Sequence, residues 1–212
     1  MHEENIGQRS VRGYVLAGGG STRFGRDKAL VEIDGAPMLL RMQALLSEIT
    51  KQVDVIAAPE KYAAFGITGI ADRWDRQGPL AGIITALLTS RETDAQAQWS
   101  LIIGCDMPFL TREWLSYLIE RAQASKAQVV APQSTQGLEP LCACWRTSAV
   151  APLQQSLESG IRKITQAMKR LDMEILDETE WKRFDIAGRL FWNMNTASDY
   201  DQAKRILEAE RA

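Results

Sequence analysis

Short apolar runs alternate with amphipathic stretches from the start of the chain, the pattern of a largely parallel sheet covered by helices on both faces. Val11 to Ala17 reads as the first strand. Pro37 fits the first turn of a helix that carries Met38, Leu39, Met42, Leu45, Leu46 and Ile49 at three-and-four spacing, and a strand follows from Val53 to Ala57. Gly78-Pro79 opens a second helix through Ile83, Ile84, Leu87 and Leu88. "WSLIIG", Trp99 to Gly104, is a buried strand running into Cys105-Asp106-Met107-Pro108, and Thr111 is placed to N-cap a helix from Arg112 to Ala124. "QVVAP" and "EPLCACW" read as two further strands around the turn-like "QSTQG", before a helix-rich stretch from Thr147 to Arg170. Thr196 followed by Asp199 signals the start of a last amphipathic helix through Tyr200, Ala203, Ile206 and Leu207.

The pattern holds no repeat and no Pro/Ser-rich linker, so the expected organisation is a flexible polar tail over residues 1–10 and a single α/β domain over 11–212. With 45% hydrophobic and 25% charged residues the composition is that of a globular protein. A net charge of −2 argues against a nucleic-acid partner, so an anionic ligand has to be met locally. No stretch approaches the roughly 18 apolar residues of a membrane span, and the opening residues lack the profile of a secretory signal. Cys105, Cys142 and Cys144 form no CxxC pair, and His2 is the only histidine, a poor inventory for zinc. Reduced, buried cysteines and a cytoplasmic protein are expected.

Ligands of open α/β sheets bind outside the carboxyl ends of the strands. Two segments fall there: the glycine-rich stretch after the first strand and Cys105-Asp106 after a central one. Gly18, Gly19 and Gly20 let the main chain approach a ligand and offer N–H groups to anionic oxygens. Arg23 adds a planar fork of donors, and Lys28 brings a compact charge from the far side. A polyphosphate suits this set. The spacing is neither that of a Walker A loop nor that of a dinucleotide fingerprint, since Gly20 is followed after four intervening residues by Gly25-Arg26-Asp27, and three after Gly20 stands Arg23. Asp106, at the carboxyl edge of a buried strand, is a hard oxygen ligand suited to magnesium, with Asn195 as a further metal or phosphate ligand and Asn193 as its rival. Gly78 precedes a helix N-terminus, where backbone donors favour an anion or polar edge.

"LAGGGSTRFGRDKAL", Leu16 to Leu30, resembles the signature LAGGxSxRxGxDKA of the nucleotidyltransferases, and most closely that of the molybdenum cofactor guanylyltransferases. "GPLAG" (78–82), "CDMPFL" (105–110), "EPLCACW" (139–145) and "NMNTASDY" (193–200) occur in the order and approximate spacing of that family, so the resemblance covers nearly the whole chain. It implies a three-layer, Rossmann-like nucleotidyltransferase fold with a mostly parallel central sheet. The implied activity is transfer of GMP from GTP to the phosphate of Mo-molybdopterin, with magnesium and with release of pyrophosphate. Upstream cofactor-synthesis proteins and recipient molybdoenzymes would be the protein partners. By position, Leu16, Ala17, Gly18 and Gly19 would contact the nucleotide, Lys28 the phosphates, Asp72 the nucleoside region and Asp106 the magnesium. Arg23 and Lys28 are assigned to the phosphates, Lys28 facing the charge that develops in the transition state. Asp27 is assigned to orienting Lys28 or Arg23.

The pterin side would lie near Glu139, with Arg162 and Lys163 as contacts. Trp181 and Trp192 offer rings for stacking, although core packing is the stronger expectation for both. The chain departs from the family in two places: "VDVIAAPEKY" lacks the asparagine that helps hold the nucleoside, and Asn195-Thr196-Ala197 stands where Asn-Thr-Pro is common. Three alternatives stay open. One is a cytidylyltransferase of the same cofactor, whose relatives usually show LAAG in place of Leu16-Ala17-Gly18-Gly19. The others are a sugar-phosphate nucleotidyltransferase and a nucleotide-binding module without catalysis.

Overall fold

The computed structural model describes residues 11–18, 27–33, 35–74, 76–185 and 187–210. The tail 1–10 and three expected ligand residues, Gly19, Gly20 and Arg23, lie outside them. In chain order the elements are β1 (Arg12–Leu16), β2 (Glu32–Ile33), β3 (Ala36–Pro37), α1 (Met38–Ser47), β4 (Val53–Ile56), α2 (Pro79–Thr93), β5 (Trp99–Gly104), α3 (Arg112–Ala124), β6 (Val129–Ser134), β7 (Gly137–Leu138), β8 (Cys142–Arg146), α4 (Val150–Glu158), α5 (Ile164–Met168), β9 (Met173–Leu176), α6 (Glu178–Trp181) and α7 (Ala197–Ala209). Pro37 sits one residue ahead of its helix, as the last residue of β3.

The central sheet has seven strands in the order β4-β1-β5-β8-β6-β7, with β9 also paired to β6. β4, β1 and β5 are parallel, β8 runs against both β5 and β6, and β9 is parallel to β6. Five strands therefore point one way, and β7 and β8 oppose them. "QSTQG" is more than a turn: β6 continues through Gln133 and Ser134, which pair with Leu138 and Gly137 in a hairpin.

Alternation along β1 sends side chains to two separate cores. Val11 and Val15 pack with α1 and α3, and that layer is completed by Trp181, Phe191 and Ala203 from the C-terminal region. Tyr14 and Leu16 face the opposite layer, built from α2, α4 and α5. Cys142 and Cys144, two apart on β8, share the first of these cores and are free, buried thiols. Burial pushes the Cys142 thiol up to about 12, so it behaves as a small apolar side chain. Among the described residues no helix is long and apolar enough to cross a membrane.

Register brings the two segments expected to meet a ligand together. Leu16 pairs with Gly104 on one side and Ile56 on the other. The residues that follow, Ala17-Gly18 and Cys105-Asp106, therefore leave the sheet side by side at its carboxyl edge. α2 returns antiparallel to β1, and its first turn packs close to this edge because Gly82 has no side chain: a Cβ there would lie 3.1 Å from Leu16 Cδ2.

Candidate active site

Lys28 begins a single 3₁₀ turn, Lys28–Leu30, capped by Asp27, whose Oδ1 accepts from Ala29 N at 3.1 Å. Its ammonium crosses to the other end of the sequence and donates to Asn195 Oδ1 at 3.0 Å. The same Nζ lies 3.7 Å from Asp106 Oδ2. Three expected site residues, drawn from three distant segments, thus meet around one ammonium, through a hydrogen bond and an ion pair. Lys28 and Asp106 expose 18% and 25% of their side chains, dry enough for strong electrostatics and open enough for a ligand.

Asp106 is aimed by its neighbours. Its backbone carbonyl accepts from Met194 N at 2.9 Å, which ties the β5 edge to the segment carrying Asn195. Burial raises the carboxyl above the ordinary aspartate range, and the Lys28 charge acts against that rise. Glu139 shares this environment. It is 9% exposed, accepts from Ser134 Oγ at 2.6 Å, and is also pushed upward, first by burial and then by the charge of Asp106. A nearby positive charge favours the ionised form of such a carboxyl, as Lys28 does for Asp106.

Asn195 is held from behind. Asp199 Oδ2 accepts from both Asn195 N (2.8 Å) and Thr196 N (2.7 Å), while Asp199 N donates to Thr196 Oγ1, a capping box at the start of α7. Asn193 is a local turn residue, its amide donating to the Phe191 carbonyl. Asn195, by contrast, accepts from Lys28.

Other expected residues take different parts. The Leu16 side chain is committed to the core against α2, so only its main chain can face a ligand. Ala17 is buried and its carbonyl accepts from Lys61 Nζ and Tyr62 OH, whereas Gly18 is exposed. Asp72 Oδ1 accepts from Trp74 N and Thr85 Oγ1, bracing the turn ahead of α2. Gly78 caps α2 with φ 78°, a conformation natural to glycine, and is exposed. Asp27 pairs with Lys61, 2.8 Å away, and meets the Tyr62 hydroxyl at 3.1 Å, so its orienting bonds run to "EKY" and to the turn itself. Neither Lys61 nor Tyr62 stands out in the sequence, because nothing in a short polar run announces a contact with residues 35 or 44 positions away.

A cavity of about 510 Å³ lies between the β6–β7 hairpin and residues from Glu178 onward, with Ser134, Gln136, Lys182 and Trp192 on its walls. Trp192 stacks on Phe109 (centroids 5.5 Å apart). Trp181 is core, its indole N–H donating to the Gln133 carbonyl. Arg162 closes the end of α4 on the Leu157 carbonyl, and Lys163 is the exposed residue before α5.

The chain is similar to known proteins over nearly its whole length. The molybdenum cofactor guanylyltransferase of Desulfosudis oleivorans is 28% identical over 204 residues, covering 95% of this chain and 98% of that protein. The crystal structure of molybdopterin-guanine dinucleotide biosynthesis protein A from Archaeoglobus fulgidus superposes with a TM-score of 0.80 at 25% identity, over 94% of this chain and all of that one. A CMP:2-keto-3-deoxy-manno-octonic acid synthetase solved with CTP shares the fold at 11% identity and a TM-score of 0.69, over 94% of this chain and 99% of that one. Residues 13–172, well over half of the chain, match the MobA-like NTP transferase domain model, and the protein belongs to that family.

Proposed function

We propose that this protein transfers GMP from GTP to the phosphate of Mo-molybdopterin and releases pyrophosphate. The observation that carries the reading is the meeting of Lys28, Asp106 and Asn195 at the carboxyl edge of β1 and β5. A fold that merely turned its chain after β1 would have no reason to join a cation, a carboxylate and an amide oxygen from three segments. Guanylyl transfer in particular is supported by the named relatives from Desulfosudis oleivorans and Archaeoglobus fulgidus.

The reaction is an in-line displacement. A phosphate oxygen of the acceptor attacks the α-phosphorus of GTP, the bond from that phosphorus to the α,β-bridging oxygen breaks, and pyrophosphate leaves with the electron pair. The attacking oxygen is already ionised, so no general base is required, and positioning and charge neutralisation do most of the work. Lys28 holds its ammonium against the phosphates, with Arg23 assigned to the same anion. Main-chain groups of Leu16 to Gly20 and the start of α2 at Gly78 receive the nucleotide, with Asp72 bracing the turn before that helix. The acceptor enters from the hairpin side, beside Glu139 and the cavity walled by Trp192.

The donor set fits magnesium: Asp106 and Asn195 offer only oxygen, and magnesium commonly takes one or two protein oxygens, filling its shell with phosphate and water. Magnesium, when bound there, supplies neutralising charge to the triphosphate.

The test is pyrophosphate release from GTP, CTP and ATP with magnesium and Mo-molybdopterin. Release is expected with GTP, and Lys28→Ala and Asp106→Asn should each lower kcat/KM at least ~100-fold. Preference for CTP would reassign the base, and nucleotide binding without turnover would reduce the protein to a binding module.

A further inference from the structure

Two consecutive residues outside the matching motifs quoted above, Lys61 and Tyr62, reach the same pair of acceptors. Lys61 Nζ lies 2.8 Å from Asp27 Oδ2 and donates to the Ala17 carbonyl at 3.2 Å. The hydroxyl of the fully buried Tyr62 lies 3.0 Å from that carbonyl and 3.1 Å from the same carboxylate oxygen. Ala17 and Asp27 bracket the stretch 18–26. One phenolic proton cannot satisfy two acceptors at once, so the ammonium, with three N–H donors, completes the set. It also lies over the Tyr62 ring, 5.0 Å from the centroid, which fixes where it points.

The consequence falls on Lys28, the next residue after Asp27. Asp27 caps the 3₁₀ turn that begins with Lys28. An unneutralised carboxylate at that position would repel an incoming triphosphate and compete with it for the neighbouring cation. We propose that Lys61 is a positioning residue for nucleotide binding, tying Ala17 to Asp27 and cancelling the Asp27 charge so that the Lys28 charge acts on phosphate. The proposal rests on the nucleotidyl-transfer reading. It also gives the stretch "VDVIAAPEKY" a part in the site although it lacks the family's asparagine.

The experiment compares the full chain with Lys61→Met, Lys61→Arg and the double variant Lys61→Met/Asp27→Asn, reading GTP affinity with magnesium by calorimetry, KM and kcat by pyrophosphate release, and thermal unfolding. Asparagine at 27 keeps an oxygen for the cap and removes the charge, its Nδ2 standing where Oδ2 meets Tyr62, whose hydroxyl can accept from it while donating to the Ala17 carbonyl. Lys61→Met is expected to weaken GTP binding and raise KM about tenfold, with kcat changed less, as expected for a lost binding term. Lys61→Arg should stay close to the parent, and the double variant should bind GTP more tightly than Lys61→Met. Unchanged GTP affinity in Lys61→Met overturns the proposal, as does a double variant no better than the single one, because Lys61 would then only pack. If the parent binds GTP yet transfers nothing, the guanylyl-transfer reading fails while the affinities still decide the role of Lys61; if it binds no nucleotide, both fall.

Discussion

Two glycines at the carboxyl edge lack a side chain for opposite reasons. A Cβ on Gly104 would sit 2.8 Å from Asp106 Oδ1, so the carboxylate can hold its present direction only because that position is bare. Gly104→Ala is expected to turn Asp106 away from Lys28, to destabilise the fold by about 1–3 kcal/mol through overpacking, and to raise the magnesium concentration at half-maximal activity about tenfold. A magnesium titration beside a urea melt checks both effects. Gly18 is different. A Cβ there would meet only the Ile56 carbonyl at 3.6 Å, ordinary contact that the fold accepts. On the proposed function glycine at 18 leaves room for the nucleotide, and Gly18→Ala should leave the melting temperature unchanged while lowering kcat/KM for GTP relative to CTP roughly tenfold, the scale of one methyl group in a pocket. An unaltered GTP-to-CTP ratio would remove residue 18 from base selection. The expectation of a ligand-facing glycine at 18 comes from "LAGGG"; the reason for Gly104 is not legible in the sequence, because it depends on which rotamer Asp106 adopts.

The start of α7 shows how an element can be legible while its purpose is hidden. Thr196 and Asp199 announce a helix N-terminus by spacing alone, and the capping box forms with Asp199 N donating to Thr196 Oγ1 at 3.2 Å. The same carboxylate also accepts from Asn195 N, which places the amide that meets Lys28, 167 positions earlier in the chain. Thr196→Ala should cost about 1 kcal/mol of stability. Asp199→Ala should lower kcat/KM as well, because it frees Asn195, and paired denaturant and kinetic measurements separate the two. If Asp199→Ala were as active as the parent, the helix start would be only structural. Elements with strong local signals match their expected bounds: β5 at Trp99–Gly104 and α3 at Arg112–Ala124 behind its Thr111 cap. β9 and α6 are not legible in the same way. Met173–Leu176 is four residues long with Ile175 exposed, and it is a strand because β6 offers a parallel edge. The β2–β3 pair has two residues per strand and no period to detect.

At the scale of the molecule the sheet separates chemistry from anchorage. Lys28, Asp106 and Asn195 gather beyond the carboxyl ends of the strands, whereas a buried polar chain ties the opposite end. Arg12, 4% exposed, pairs with Asp54 on β4 and donates to the Tyr14 hydroxyl at 3.1 Å. That hydroxyl meets Ser90 Oγ at 2.8 Å, and Ser90 meets Ser100 Oγ at 2.8 Å, so β4, β1, α2 and β5 are linked through one line of hydrogen bonds. Burial raises the Tyr14 phenol above its usual range, which keeps the hydroxyl proton available to this line. Ser90 stands near the end of α2 remote from Gly78, so the network anchors the helix whose first turn lies by the carboxyl edge. Tyr14→Phe keeps the ring and removes the link, leaving the Arg12 Nε–H and the buried serines one partner short. The expected cost is about 1–3 kcal/mol, the penalty of an unsatisfied buried polar group. Because the hydroxyl lies at the opposite end of α2 from the ligand edge, kcat/KM for GTP should stay within about twofold, whereas a loss of about 1.4 kcal/mol of transition-state stabilisation would show as tenfold. Urea unfolding and steady-state kinetics on the same preparation give both numbers. A variant that lost activity in step with stability would show that the anchor sets the geometry of the edge as well as holding the sheet.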